Sequence, residues 1–313
     1  MFKKTILITL IAIPALCFVG SCQDNSTEKL GQSIEKQKAG EATNHTEKKY
    51  ELIVSPCGKR SIMFSKFRVV SNYLSKNTGF KIALFVPKNF EEFAARLEEQ
   101  KAYFLYIDPA IYLEVDDLID KNNLYVFLCG FIDEYKGKPV ETGCIIARAD
   151  RNIKTINDVK GKHVIFGPRG SATKWMAARK LIKDNGIDLE KDLAAYRHGG
   201  TCTDIVLDIF HGKADVGCVR TLMCPLCNRS KYYGHSGIDT FELSHVAQTG
   251  PVVAGVFTCT HGTDGRDMEK VLDALGRLPG LDLWERRGFP ADITHGFVKV
   301  DERVFDDLRK MAG

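Results

Sequence analysis

The chain has 313 residues, 44 of them Lys or Arg against 40 Asp or Glu, and a formal net charge of +4. So small an excess, with no basic stripe interleaved with aromatics, argues against nucleic acid as a partner. Hydrophobic residues make up 44% of the chain, enough to build a core without disulfide staples.

The first segment, "MFKKTILITLIAIPALCFVGSC", has Lys3 and Lys4, then an apolar run that ends in small residues. This is a signal-peptide pattern over residues 1–21, and the run is short for a membrane span. Val19-Gly20-Ser21-Cys22 matches a bacterial lipobox, which makes Cys22 the expected lipidated N-terminus. An ordinary secretory signal with an incidental cysteine is the alternative. Acyl chains on Cys22 would contribute about 0.8 kcal/mol per buried methylene and anchor the protein to a bacterial membrane, facing the periplasm or the exterior. Residues 22–49 hold only Leu30 and Ile34 as large apolar side chains. They read as a flexible tether, because such a stretch cannot offset its ordering entropy.

From residue 50 strands and helices alternate. "YELIVSP" (50–56) predicts a strand and "SKFRVVSNYLSKNTG" (65–79) a helix closed by Gly79. "FKIALFVP" is a second strand, "NFEEFAARLEEQ" an Asn-capped helix, and "AYFLYIDP" a third strand. The pattern restarts with strands at 143–150 and 161–168, a helix at 171–187, a helix at 203–213 and a strand at 214–219. A strand-like "GPVVAGVFTC" (250–259) follows. Such alternation predicts an α/β fold with parallel sheets and crossover helices. Its two units predict a first lobe from 50–145, a second from 146–250, and a return to the first over 251–313.

"FGPRGSATKWMAARKLI" carries the clearest chemistry. A strand ends, Gly167-Pro168-Arg169-Gly170 turns, and Ser171-Ala172-Thr173 opens a helix. Free N–H groups, two hydroxyls and a positive helix end make an oxyanion site, with Arg169 and Lys174 beside it. A plain Ser/Thr cap on a surface helix is the alternative.

This segment, with "DIVLDIFHGKADVGCV", "SHVAQTGPVVAGVF", "SNYLSKNTGFKI" and "YFLYIDPAIYL", resembles the phosphonate/phosphite-binding (PhnD-like) proteins of ABC importers. The resemblance spans nearly the whole body and implies a two-lobed, type 2 periplasmic-binding-protein fold with a hinge and an interlobe cleft. It implies capture of a small oxyanion-like ligand without catalysis or cofactor, and delivery to an ABC permease. The chain has no ATPase signature of its own. Ser171, Ala172 and Thr173 match the family's helix start with one hydroxyl missing, and Tyr106 matches a pocket tyrosine. Cys57, Cys202 and Cys218 fall where relatives place a polar or aromatic residue, a histidine and a polar contact. Arg220 replaces a residue that is usually acidic or amide. Asp108, Glu141 and His198 are secondary candidates.

If Cys57, Cys202 and Cys218 face one cavity, they suit a soft metal or arsenite, since thiolates prefer thiophilic centres. The implied alternative is a sensory binding protein that signals to a histidine kinase, as some members of the family do for arsenite. Disulfides, or thiols buried as small hydrophobes, are the plainer reading of the same cysteines. Cys129 and Cys144 flank a turn and are a candidate hairpin disulfide. Cys224-Pro-Leu-Cys227 lacks the following His of a haem anchor and the second pair of a zinc ribbon. It reads as a local disulfide or rim thiols, with a thiol–disulfide oxidoreductase as the competing enzymatic class.

Overall fold

The computed structural model describes residues 47–130, 133–227, 238–282 and 284–312. The signal segment, Cys22, most of the tether and part of the loop after Cys227 lie outside the described residues. Lys49 already belongs to the first strand, and Lys48 forms an ion pair with Asp267 at 2.6 Å.

The first lobe begins as the sequence predicts. β1 (Lys49–Val54), α1 (Arg60–Thr78), β2 (Lys81–Phe85), α2 (Phe90–Glu98) and β3 (Tyr103–Ile107) form two crossover units, with β1 parallel to both β2 and β3. Gly79 ends α1 with φ 75°, a left-handed conformation that glycine adopts without steric cost. The Asn89 side chain accepts the Glu92 N–H at 3.0 Å and caps α2. α3 (Pro109–Val115) follows Asp108 directly, with Pro at its first turn.

The sheet is not parallel throughout, and this corrects the sequence expectation. β4 (Tyr125–Phe127), β12 (Val256–Cys259) and β13 (Phe297–Lys299) complete a six-stranded sheet in the order β13-β4-β12-β3-β1-β2. β12 runs antiparallel to β3 because the chain re-enters this sheet after building the other one. α6 (Gly265–Gly276) packs its buried Met268, Val271 and Leu275 under this sheet with Phe67 and Leu74 of α1.

The second lobe holds β6 (Gly143–Arg148), β7 (His163–Phe166), β8 (Ala195–His198), β9 (Val216–Arg220) and β10 (Leu243–Gln248), in the order β10-β6-β9-β7-β8. Its helices are α4 (Ala178–Asp184) and α5 (Cys202–Phe210). The turns ahead of α4, Ala172–Ala177, have π geometry, and the N–H groups of Trp175 and Met176 both reach the Ser171 carbonyl at 3.2 Å. A two-residue ribbon, β5 (Val140–Glu141) against β11 (Val252–Val253), joins the passages between the sheets. It also splits the predicted 250–259 strand into β11 and β12. The last helix, α7 (Asp306–Ala312), sends buried Leu308 into the second lobe's core. Among the described residues, no helix is long and apolar enough to cross a membrane.

Each face of the second sheet packs a different core. Side chains alternate along a strand, so Ile145 and Ala147 of β6 join Val216 and Cys218 of β9 in a core with Trp175. Cys144 and Ile146 point the other way, into a core with Cys202, Ile205 and Cys224.

Candidate functional site

The site lies where the C-terminal end of β3, the ribbon strand β5, the end of β9 and the opening of the 172–184 helix converge. Asp108 follows β3, and its carboxylate accepts two N–H groups at 3.0 Å, from Ala110 of its own helix and from Ala172 of the other lobe. One carboxylate therefore caps two helix starts and bridges the lobes. The Thr173 hydroxyl donates to Glu141 of β5, and Ser171 accepts the Lys174 N–H at 3.3 Å. The donors read from the sequence as an oxyanion site thus already hold carboxylate oxygens. Glu141, a secondary candidate for an acidic contact, is one of the groups that fill the cleft.

Arg220 reaches from the end of β9 into the same space. It forms an ion pair with Glu141 and another with Asp292 at 3.2 Å, while its Nε is buried with no partner among the described residues. Burial opposes its charge, but Glu141 and Asp292 more than offset this and raise its pKa. Asp292 also accepts the Tyr106 hydroxyl at 2.5 Å. Burial pushes the Asp292 carboxyl up; the Arg220 charge and the Tyr106 bond outweigh it and hold it below the usual range. A Cβ on Gly255 would stand 2.6 Å from the Tyr106 hydroxyl, so glycine there leaves the ring its place.

Asp108 behaves differently. Burial, then the Glu141 charge, push its carboxyl up to about 6, against the two N–H bonds that favour the ionised form. A cavity of about 30 Å³ lies beside the network, lined in part by Leu128, Cys129, Glu141, Thr142 and Arg220. Apart from the Arg220 Nε, the polar groups of this network satisfy one another.

The three cysteines expected to face one cavity are held in different surroundings. Cys57 lies in the cleft, where the charges of Asp108, Lys174, Arg220 and Asp292 act on it, and burial pushes its thiol up to about 11. Cys218 lies behind the helix start, with its sulfur 3.8 Å from the Thr173 carbonyl, and burial pushes its thiol up as well. Cys202 packs on the opposite face of the sheet. Among the described residues, these three do not form a set within reach of one ion, which corrects the expected soft-metal site. The reason is the alternation of β9 and α5 about their sheet. Arg169 turns from the anion site onto the Trp175 ring at 5.5 Å. Lys174 is buried with its Nζ 3.4 Å from the Gly200 carbonyl. His198 supports the turn beneath, its Nδ1 2.7 Å from the Gly167 carbonyl.

The cysteines that do converge are Cys144, Cys224 and Cys227, whose sulfurs all lie within 4.8 Å of one another. Cys144 and Cys227 are 2.7 Å apart, and all three are free thiols. Cys129 and Cys144 are not a disulfide, because β6 turns Cys144 toward α5 and Cys129 lines the cavity. Sequence reasoning missed Asp292 as well. The segment "FPADITHGF" carries no motif, and only the return of the chain to the first lobe brings it to Arg220.

The fold is shared with solved binding proteins. A binding component of a phosphonate ABC transporter from Pseudomonas aeruginosa matches with a TM-score of 0.65 at 13% identity, over 85% of this chain and 86% of that one. PhnD1 from Prochlorococcus marinus in complex with methylphosphonate matches at 0.66 and 10% identity, over 85% and 97%. A Xanthomonas citri protein bound to chloride matches at 0.60 and 12%, over 84% and 96%. The expected two-lobed α/β architecture is therefore the observed one. The family model for the phosphonate periplasmic substrate-binding protein of ABC transporters matches residues 52–305. Over the span that contains both sheets and the cleft between them, the chain belongs to that family of transport components.

Proposed function

We propose that the chain is an extracytoplasmic solute-binding lipoprotein, anchored through Cys22, that captures a small oxyanion of the phosphonate, phosphite or phosphate type and delivers it to an ABC permease. The observation that carries this reading is that the Ala172 N–H and the Thr173 hydroxyl, at one helix start facing the cleft, both donate to anionic oxygens. Donors that satisfy Asp108 and Glu141 in this arrangement are placed to take ligand oxygens instead. Each exchange replaces one charge-assisted hydrogen bond by another, so the donors are not left unpaired. Arg220, with an unpartnered buried Nε, supplies further donors, and Tyr106 and Cys57 line the same space. Carboxylates displaced by the oxyanion can meet an ammonium on the ligand, which favours a ligand that carries both charges. Asp108 and Asp292 belong to the first lobe and Ala172 and Arg220 to the second, so ligand exchange here couples to hinge opening and closure.

The test is thermal unfolding of the full-length chain with phosphate, phosphite, methylphosphonate and 2-aminoethylphosphonate. A true ligand should stabilise it by about 2.7 kcal/mol at a hundredfold excess over Kd. Replacing both Ser171 and Thr173 by Ala should weaken that ligand by roughly tenfold or more, since a hydrogen bond to a charged group contributes about 1.5–3 kcal/mol. Unchanged oxyanion affinity in the double variant would sink the reading.

A further inference from the structure

Cys144, Cys224 and Cys227 have no part in the cleft reading and do not depend on it. Cys144 comes from β6, and Cys224 and Cys227 follow β9, the strand paired antiparallel to β6. The short turn Thr221–Met223 carries the chain back, so that the Cys-x-x-Cys comes to rest against Cys144. Cys144 and Cys224 are buried and Cys227 is exposed, and all three are free thiols.

These thiols are not equivalent toward a reagent in solution. Thiol–disulfide exchange needs one sulfur that an outside disulfide can reach, and a second close enough to displace the adduct. Of the three, Cys227 is the sulfur at the surface. The Cys144 sulfur lies 2.7 Å from it, against about 2.05 Å in a disulfide. These two residues stand 83 positions apart in the chain. The segment between them contains β7, α4, β8, α5 and β9, so a bond here closes a loop around most of the second lobe. A Cys224–Cys227 bond would close only its own turn. Cys224 has a different part. Hydrogen bonds from the Cys144 and Cys227 thiols, and then from the Cys227 and Leu226 N–H groups, hold its thiol below the ordinary range against the effect of burial. It is the sulfur toward which both neighbours point their protons.

We propose that Cys144 and Cys227, with Cys224 beside them, form a thiol–disulfide exchange site that takes a small-molecule disulfide R–S–S–R and stores its oxidation as a bond across the second lobe. Cys227 attacks one sulfur of R–S–S–R; the S–S bond of the reagent breaks, a Cys227–S–S–R bond forms, and R–S⁻ leaves. Cys144 then attacks the Cys227 sulfur; the Cys144–Cys227 bond forms and the second R–S⁻ leaves. In each step the attacking thiol gives its proton to Cys224, which releases it to the departing R–S⁻. The two cysteines lose two electrons, and R–S–S–R gains them as two R–SH.

The experiment uses the full-length chain, reduced, desalted and held in glutathione buffers with a rising share of the oxidised form. After acid quenching and alkylation, peptide mapping should find Cys144 joined to Cys227, preceded at early times by a glutathione adduct on Cys227. The bond should raise the urea midpoint by roughly 1 M, because closing so long a loop constrains the unfolded chain. Cys227→Ser, at an exposed position, should form no bond and show no rise. Cys224→Ala should form the same bond, but slower by roughly tenfold or more for want of the proton acceptor. A chain that stays reduced through the whole series, or whose bond joins any other pair, would overturn the site. An unmoved midpoint would show that the bond does not tie the lobe, and an unchanged rate in Cys224→Ala would remove Cys224 from the reaction.

Discussion

The cleft and the thiol cluster both bury polar groups, and they do so by opposite means. In the cleft, charges are matched across elements distant in sequence: Arg220 of the second lobe meets Asp292 of the first and Glu141 of the ribbon. In the cluster, three sulfurs of one lobe lie against one another, Cys144 and Cys224 buried among aliphatic side chains and Cys227 exposed. The first arrangement spans both lobes, so under the proposed function exchange of its bonds would couple to lobe movement. The second belongs to one lobe and needs no closure. Buried charge therefore ties the two lobes together, and buried sulfur ties strands within one of them.

The sharpest way to break this contrast is to remove the cation. Arg220→Ala leaves Glu141 and Asp292 without their partner and should cost about 3–5 kcal/mol in urea unfolding of the full-length chain. A cost below about 1 kcal/mol is what a solvated pair would give, and the cleft would then resemble an ordinary surface.

A smaller effect tests the one carboxyl in the cleft whose pKa is raised. Asp108 titrates at about 6 in the folded chain against 3.8 for an unperturbed carboxyl. The folded state thus holds the proton more tightly than the unfolded one. The stability this group adds is complete below about pH 4 and is lost as pH rises through 6. Asp108→Asn keeps an acceptor for Ala110 and Ala172 but cannot ionise. Relative to it, the wild type should lose about 2 kcal/mol between pH 4 and pH 7. Parallel stability–pH curves would show that Asp108 carries no burial penalty.

At the cleft rim, Lys59 meets Asp204 across the lobes at 2.8 Å, but Lys59 is largely exposed. Lys59→Ala should change stability by no more than about 0.5 kcal/mol. A larger loss would extend the exchangeable network out to solvent.

Local physics was legible in the chain. The Asn89 cap, the Gly79 terminus, the capping box from Thr155 to Asp158 and the strand–turn–helix at Gly167 to Thr173 are all set by neighbours in sequence. Strand direction was not, since β12 and β13 run against their neighbours only because the chain returns from the other lobe. The site divides the same way. The helix-start donors and Tyr106 could be read, whereas Asp292 lies 186 residues from the tyrosine it binds. Glu141 could be read only as a secondary candidate, and its partner Arg220 reaches it through the pairing of β6 with β9. The thiols were misjoined for the same cause. Counting residues along a strand does not say which face its partner presents.

One small contact joins the two regions. Thr221 follows Arg220 in the chain, shares a hydrogen bond of 2.8 Å with Thr142 beside Glu141, and receives the Cys144 thiol at 3.5 Å. Thr221 thus links the buried Cys144 to the root of the Arg220 side chain through a single hydroxyl. A displacement of that hydroxyl from one side would be felt on the other, and a coupling of that kind acts equally in both directions.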